Sequence, residues 1–176
     1  MKLRVLEAKD APRMLEWMHD PDVEEHLAAN FSAKTLSDCE SFIAAAAAEA
    51  ATSAAARDLH LAVVNDADEY MGTVSLKHID RQQRRAEFAI TVRADAMGRG
   101  YASWGMREIL RLGLRELGLE SIYWCVNEGN KRAVAFYEKH AFPRIEPDSA
   151  MEADYAALIA AFQEKMETFR WGIAPF

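Results

Sequence analysis

The stretch Val92-Arg-Ala-Asp-Ala-Met-Gly-Arg-Gly-Tyr-Ala102 constrains this chain more than any other part of it. A β-type run, Glu87-Phe-Ala-Ile-Thr-Val92, leads into it. Apolar or small residues then recur at Ala102, Met106, Ile109, Leu110, Gly113 and Leu117, the spacing of one helix face. Leu117-Gly118 closes that helix with a glycine near the expected C-terminal position, and Ser121-Ile-Tyr-Trp-Cys-Val126 follows as a strongly apolar buried strand. Strand, helix and strand in this order require a parallel pair with a right-handed crossover. The turn between the first two carries Gly98, Arg99 and Gly100. Such a turn aims several free N–H groups at one point, with the positive end of the helix dipole behind them, and suits a phosphate group. The plainer reading is an ordinary turn in which glycine supplies only a backbone angle.

The remaining elements are read from periodicity and punctuation. Residues 3–7 alternate as a half-buried strand, and Asp10 is placed to cap a helix carrying Pro12, Met14, Leu15, Trp17 and Met18, which ends near Pro21. A second helix opens at Ser37 and runs through the alanine tract 44–48 to about Ala56, a tract that reflects helix propensity. Residues 59–64 and 69–78, with the run into the glycine turn, are three strands joined by the polar turns 65–68 and 80–84, an antiparallel meander. After the turn 127–130 come a helix from Lys131 to about His140, a strand start at 141–145, a surface helix over 153–166 and a final strand over 168–173. No linker or internal repeat interrupts this, so the reading is one mixed α/β domain over residues 1–176.

A net charge of −7 argues against a broad nucleic-acid footprint and is compatible with cationic substrates such as amines. Cys39 and Cys125 have no metal-ligand spacing, and neither do the five histidines, so no metal is expected. No segment reaches membrane-spanning length and no signal peptide is recognisable, which gives the expectation of a soluble cytoplasmic protein.

Two side chains downstream could do chemistry. Asn130 sits where a helix cap belongs. Tyr137, seven residues later, lies on the same helix face, in a stripe with Ala133 and Phe136 that also reads as core. The fragment Asn130-Lys-Arg-Ala-Val-Ala-Phe-Tyr-Glu-Lys-His-Ala-Phe142 follows a buried strand, about thirty residues after the glycine turn. In these two motifs, taken in this order, the chain resembles the GNAT acetyltransferases, most strongly from Glu87 to Phe142. Within that family it looks most like the branch of ribosomal-protein alanine and amino-sugar acetyltransferases.

The resemblance implies a mixed, mostly antiparallel twisted sheet of about seven strands, with helices on both faces and a splayed wedge for acetyl-CoA. It implies cofactor contacts from Ile90, Val92, Met97, Gly98, Arg99, Gly100, Tyr101, Ala102, Asn130, Ala133 and Tyr137, with Tyr137 protonating the departing CoA thiolate. It also places a glutamate like Glu87 near the acceptor as the candidate base, against a plainer reading as a solvated strand-end charge. Acetyl transfer needs a neutral amine, while a free alkylamine has a pKa of about 10.4, so a carboxylate in reach has a task. A backbone N–H of the strand 90–92 would stabilise the oxyanion. The chain departs from the family at Asp95, where Gln or Arg is usual and an acid would repel phosphate, leaving Arg93 or Arg99 to compensate. It departs again at Ala141, which stands in place of glycine.

The function expected is direct acetyl transfer to a primary amine of a small molecule or a protein N-terminus, with a homodimer as the expected assembly. Amino sugars, polyamines and aminoglycosides are all acceptors that fit. The resemblance implies that the first two helices wall the acceptor pocket, where Trp17, Asp20, Asp22, Glu24 and Glu25 would favour a cationic one, against a plainer reading as a solvated helix surface. A catalytically inactive CoA-binding or sensor module is the alternative, and Asp95 is its support. A nucleotide-phosphate binder of another α/β fold lacks both the P-loop lysine and the full dinucleotide fingerprint.

Overall fold

The computed structural model describes residues 1–24, 31–52, 56–153, 156 and 169–174, apart from the side chains of residues 22 and 24. The helix expected over 153–166 lies almost wholly outside the described residues, as do the side chains of Asp22, Glu24 and Glu25 in the expected acidic wall.

Seven strands form one sheet in the order β1-β2-β3-β4-β5-β7-β6. They are β1 (Lys2–Val5), β2 (Leu59–Val64), β3 (Tyr70–Asp80), β4 (Arg85–Val92), β5 (Ser121–Asn127), β6 (Arg144–Ile145) and β7 (Phe169–Ile173). Every pairing is antiparallel except β4 with β5, the pair joined by the crossover. The crossover helix is α4 (Tyr101–Arg115), and Gly118 ends the connection in a left-handed conformation at φ 68°. Alternation of side chains along the strands gives the sheet two apolar faces. On one, Val74, Leu76, Phe88, Ile122 and Trp124 pack with Met106 and Ile109 of α4 and with Phe136 and Tyr137 of α5 (Lys131–Lys139). On the other, Ala62, Val64 and Tyr70 pack against α1 (Ala11–Met18), α2 (Pro21–Glu24) and α3 (Leu36–Ala51) through Met14, Trp17, Val23, Cys39 and Ile43. No helix among the described residues is long and apolar enough to cross a membrane.

The β4–β5 ladder has three rungs, Arg85 with Ser121, Ala86 with Ile122 and Glu87 with Tyr123, and then stops. Beyond it β4 stays with β3 as far as Val92, and β5 stays with β7 as far as Asn127. The sheet therefore opens between β4 and β5 from Phe88 onward.

Three local readings of the sequence are corrected. Asp10 does not cap α1. Its carboxylate, 1% exposed, instead accepts from both terminal nitrogens of Arg4 at 2.7 and 2.8 Å and from the Glu7 amide at 2.9 Å. The second helix, α3, opens at Leu36 rather than Ser37, capped by Thr35 in a reciprocal box with Asp38, and it ends at Ala51 rather than near Ala56.

Ala141 keeps the left-handed backbone of the glycine it replaces, at φ 52°, instead of adopting another local path. That conformation costs a non-glycine residue about 1–2 kcal/mol. Ala141→Gly is therefore expected to raise stability by up to about 1 kcal/mol, because glycine's greater freedom in the unfolded chain offsets part of the relief. Urea unfolding measures this, and a loss of stability would contradict the strain.

Candidate active site

A cleft of about 340 Å³ occupies the opening between β4 and β5. Ile90, Thr91 and Val92 form one wall, and Asn130, Arg132, Ala133, Phe136, Tyr137 and Lys139 of α5 and its cap form the other. Met97, Gly98, Gly100, Ala102 and Ser103 close one end. Gly98 and Gly100 have φ of 72° and 87°, and nothing lies within 4 Å of the position a Cβ would take at either. A ligand can thus approach the backbone there, and L side chains would strain it. The amides of Gly98, Gly100, Tyr101, Ala102 and Ser103 have no hydrogen-bond partner among the described residues, while the first α4 bond runs from Trp104 to Gly100. Five donors at the start of a 15-residue helix make an anion cradle.

The cleft's charge fits that reading. Among the described residues its lining holds two cations, Arg132 and Lys139, and no acid, in a chain of net charge −7. Asp95 points elsewhere, its carboxylate 3.2 Å from Arg93 Nη2. Arg93 is 5% exposed and is held by Glu16 at 3.1 Å and by the Tyr70 carbonyl at 3.3 Å, so it does not reach the cleft. Arg99 also stays out, donating to the Asp95 carbonyl at 3.3 Å and lying over the Tyr101 ring. The expected compensation by Arg93 or Arg99 is therefore corrected: the cations at hand are Arg132 and Lys139. They share one face of α5 with Phe136 at i, i+4 and i+7 spacing, a signal the sequence contained.

Of the residues singled out from sequence, Ile90, Val92, Met97, Gly98, Gly100, Ala102, Asn130, Ala133 and Tyr137 line the cleft. Tyr101 does not, because its ring is 6% exposed in the core, although its amide belongs to the cradle. Asn130 is both cap and lining: its Oδ1 accepts from the Ala133 amide at 2.9 Å, and its Nδ2 has no protein partner among the described residues. Tyr137 lies parallel to Trp124, centroids 4.8 Å apart at 4°, and edge-on to Phe88. Its hydroxyl has no hydrogen-bond partner among the described residues. Burial pushes its pKa above the ordinary tyrosine value, with the negative charge of Glu87 adding to the rise. Through neutral pH it stays a proton donor.

Glu87 is not a solvated strand-end charge. It is 3% exposed and points to the sheet face opposite α4, beside Tyr123 at the last rung before the opening. One carboxylate oxygen meets Lys77 Nζ at 2.8 Å, and the other lies 3.5 Å from His78 Nε2. It does not line the cleft, yet its charge is felt by both Tyr137 and Cys125, whose thiol burial pushes up to about 12. Glu87 and Tyr137 belong to opposite faces of the sheet beside the opening.

Comparison with known proteins shows the family and the fold. A family profile described as Acetyltransferase (GNAT) domain matches residues 1–143. The spermidine N(1)-acetyltransferase of Escherichia coli K12 is 32% identical over 80 residues, 46% of this chain and 43% of that protein. The match thus spans less than half the length of that relative. Among solved structures, spermidine N-acetyltransferase from Vibrio cholerae in complex with CoA and spermine superposes with a TM-score of 0.70 at 21% identity, covering 82% of each chain. A structure described as a probable acetyltransferase gives a TM-score of 0.69 at 21% identity over 81% of this chain and 79% of its own. A dodecameric form of the Vibrio cholerae enzyme gives 0.59, also at 21% identity, over 82% of this chain and 80% of that one.

Proposed function

We propose, since this chain belongs to the GNAT acetyltransferase family, that it transfers the acetyl group of acetyl-CoA directly to a primary amine. The observation that carries the reading is the cleft itself, which brings the glycine-turn amides, two cations and the unpartnered Tyr137 hydroxyl onto one ligand path. The pyrophosphate would rest on the amides of residues 98–103, with Arg132 and Lys139 supplying counter-charge. The arm would follow the free side of β4 past Ile90 and Val92, where a strand N–H can meet the developing oxyanion. As the amine nitrogen bonds to the acetyl carbon and the C–S bond breaks, Tyr137 gives its proton to the departing thiolate. Glu87 takes the first proton that the ammonium must lose, and the second, released from nitrogen as the amide forms, restores the Tyr137 hydroxyl.

The Escherichia coli and Vibrio cholerae relatives named above are spermidine acetyltransferases, and a polyamine is one acceptor this reading allows. Asp95 was the support for a non-catalytic CoA-binding module, and its pairing with Arg93 away from the cleft favours the enzyme. The two free cysteines suit a reducing compartment such as the cytoplasm. A homodimer is the smallest assembly we infer, given a relative that is dodecameric.

Calorimetric titration with acetyl-CoA tests the reading. Micromolar binding is expected for the natural sequence. Asp95→Gln should change Kd by less than about threefold, whereas Arg132→Gln should weaken it by about tenfold, the loss of one charge-assisted contact. Absence of binding by the unaltered protein would leave only a shared fold.

A further inference from the structure

We propose that Met97 is an oxidation site at which a peroxide forms a sulfoxide. The sulfoxide holds Arg132 away from the pyrophosphate and so weakens acetyl-CoA binding reversibly. This rests on the acetyltransferase reading and adds a control on the same cleft. Met97 belongs to the closed end of the cleft, directly before the amides of the glycine turn, and Arg132 belongs to its α5 wall. The two touch, with Arg132 Nη1 2.7 Å from Met97 Sδ. That sulfur is the one hydrogen-bond acceptor of Arg132 among the described residues, and Arg132 has no ion pair among them. A thioether is a weak acceptor, so the guanidinium can leave it for a phosphate at little cost.

Oxidation reverses that balance. In the reaction a lone pair of the Met97 sulfur bonds to one oxygen of hydrogen peroxide, the O–O bond breaks, and the other oxygen leaves as water. The sulfur loses two electrons and the peroxide gains them. The new oxygen is polar and a far stronger acceptor for a guanidinium than the thioether was. It competes with the pyrophosphate for Arg132 and adds negative character one residue from the Gly98 amide. Two thiols of a reductase undo the change, returning two electrons as they form a disulfide while the oxygen leaves as water. Burial directs the peroxide to this sulfur. Met14, Met18, Met71, Met106 and Met151 are buried, whereas Met97 is half-buried and lines the cleft. Met1 is exposed too, but it adjoins β1 at the outer edge of the sheet.

The test treats the protein with hydrogen peroxide, locates the added oxygen by peptide mass spectrometry and repeats the acetyl-CoA titration. Met97 should oxidise ahead of Met14, Met71 and Met106, and saturating acetyl-CoA should slow it. The oxidised protein should bind acetyl-CoA about tenfold more weakly, and methionine sulfoxide reductases A and B with a thiol should restore the affinity. Two variants are each compared with themselves before and after peroxide. Met97→Leu keeps Met1 and Met166 but has no sulfur at the cleft, and Arg132→Leu has no donor for the sulfoxide. On oxidation each should hold its own Kd within about twofold. Oxidation of Met97 no faster than that of the buried methionines would overturn the proposal. So would a Met97 sulfoxide that leaves Kd unchanged, or a loss in either variant as large as in the natural sequence. Failure of the untreated protein to bind acetyl-CoA would strike the acetyltransferase reading, and this proposal with it.

Discussion

Replacing Tyr137 by Phe is expected to lower kcat by about 10²–10⁴ while leaving the affinity for acetyl-CoA within a small factor. The substitution removes one hydroxyl and keeps the ring, so the parallel stack on Trp124 and the edge contact with Phe88 persist. The hydroxyl has no partner to lose among the described residues, and stability should hardly change. Because burial and Glu87 both raise the Tyr137 pKa, its proton is retained from neutral pH up through the ordinary tyrosine range. The natural enzyme should accordingly show no loss of kcat near pH 10 from this group's ionisation. Single-turnover thiol release gives the comparison, and a Phe variant with nearly full kcat would remove Tyr137 from the mechanism.

The largest stability effect is expected at Gly172. It pairs with Trp124 across β5 and β7, and a Cβ added there would lie 2.3 Å from Cζ2 and 2.6 Å from Cε2 of the indole. Trp124 is 2% exposed and held between Tyr137 and Phe142, so its ring has nowhere to move without displacing both. Overpacking of this kind costs about 1–3 kcal/mol, and a contact this close to an immobilised ring belongs at the upper end. Gly172→Ala should show that loss in urea unfolding. Activity should fall with it, because the plane that positions Tyr137 is the plane displaced. A double change adding Trp124→Leu should restore stability in part, whereas additive losses would show that the two positions do not clash.

Much of this architecture is written locally. Gly98 and Gly100 hold positive φ in the turn where a β-type run gives way to a helical one, and the Asn130 cap is set by its own helix. The parallel crossover follows from the order of elements alone. What stayed hidden depends on partners far along the chain. Asp10 looks like a helix cap until Arg4 claims both its oxygens, and Asp95 looks like an acid facing phosphate until Arg93 draws it away. Glu87 reads as a strand-end charge because its burial comes from the register of β3 against β4, which places Lys77 beside it, and from Tyr123 on β5. Other features were legible and went unread. Thr35-Leu-Ser-Asp38 is a capping box, and Arg132, Phe136 and Lys139 repeat on one helix face.

The three-rung ladder between β4 and β5 also bears on solubility. A sheet edge is a template on which other chains can add strands and aggregate. Here the outer edges are blunted: β6 has two residues, and β1 has four, with Lys2 and Arg4 among them. The longer stretch of strand lacking a neighbour is internal, the β5-facing side of β4 from Phe88 to Val92, walled by α5 across the opening. A slender, flexible molecule can lie along it as a surrogate strand, while α5 covers it against strand addition from outside. This protein can keep an open backbone edge because it has placed that edge inside itself.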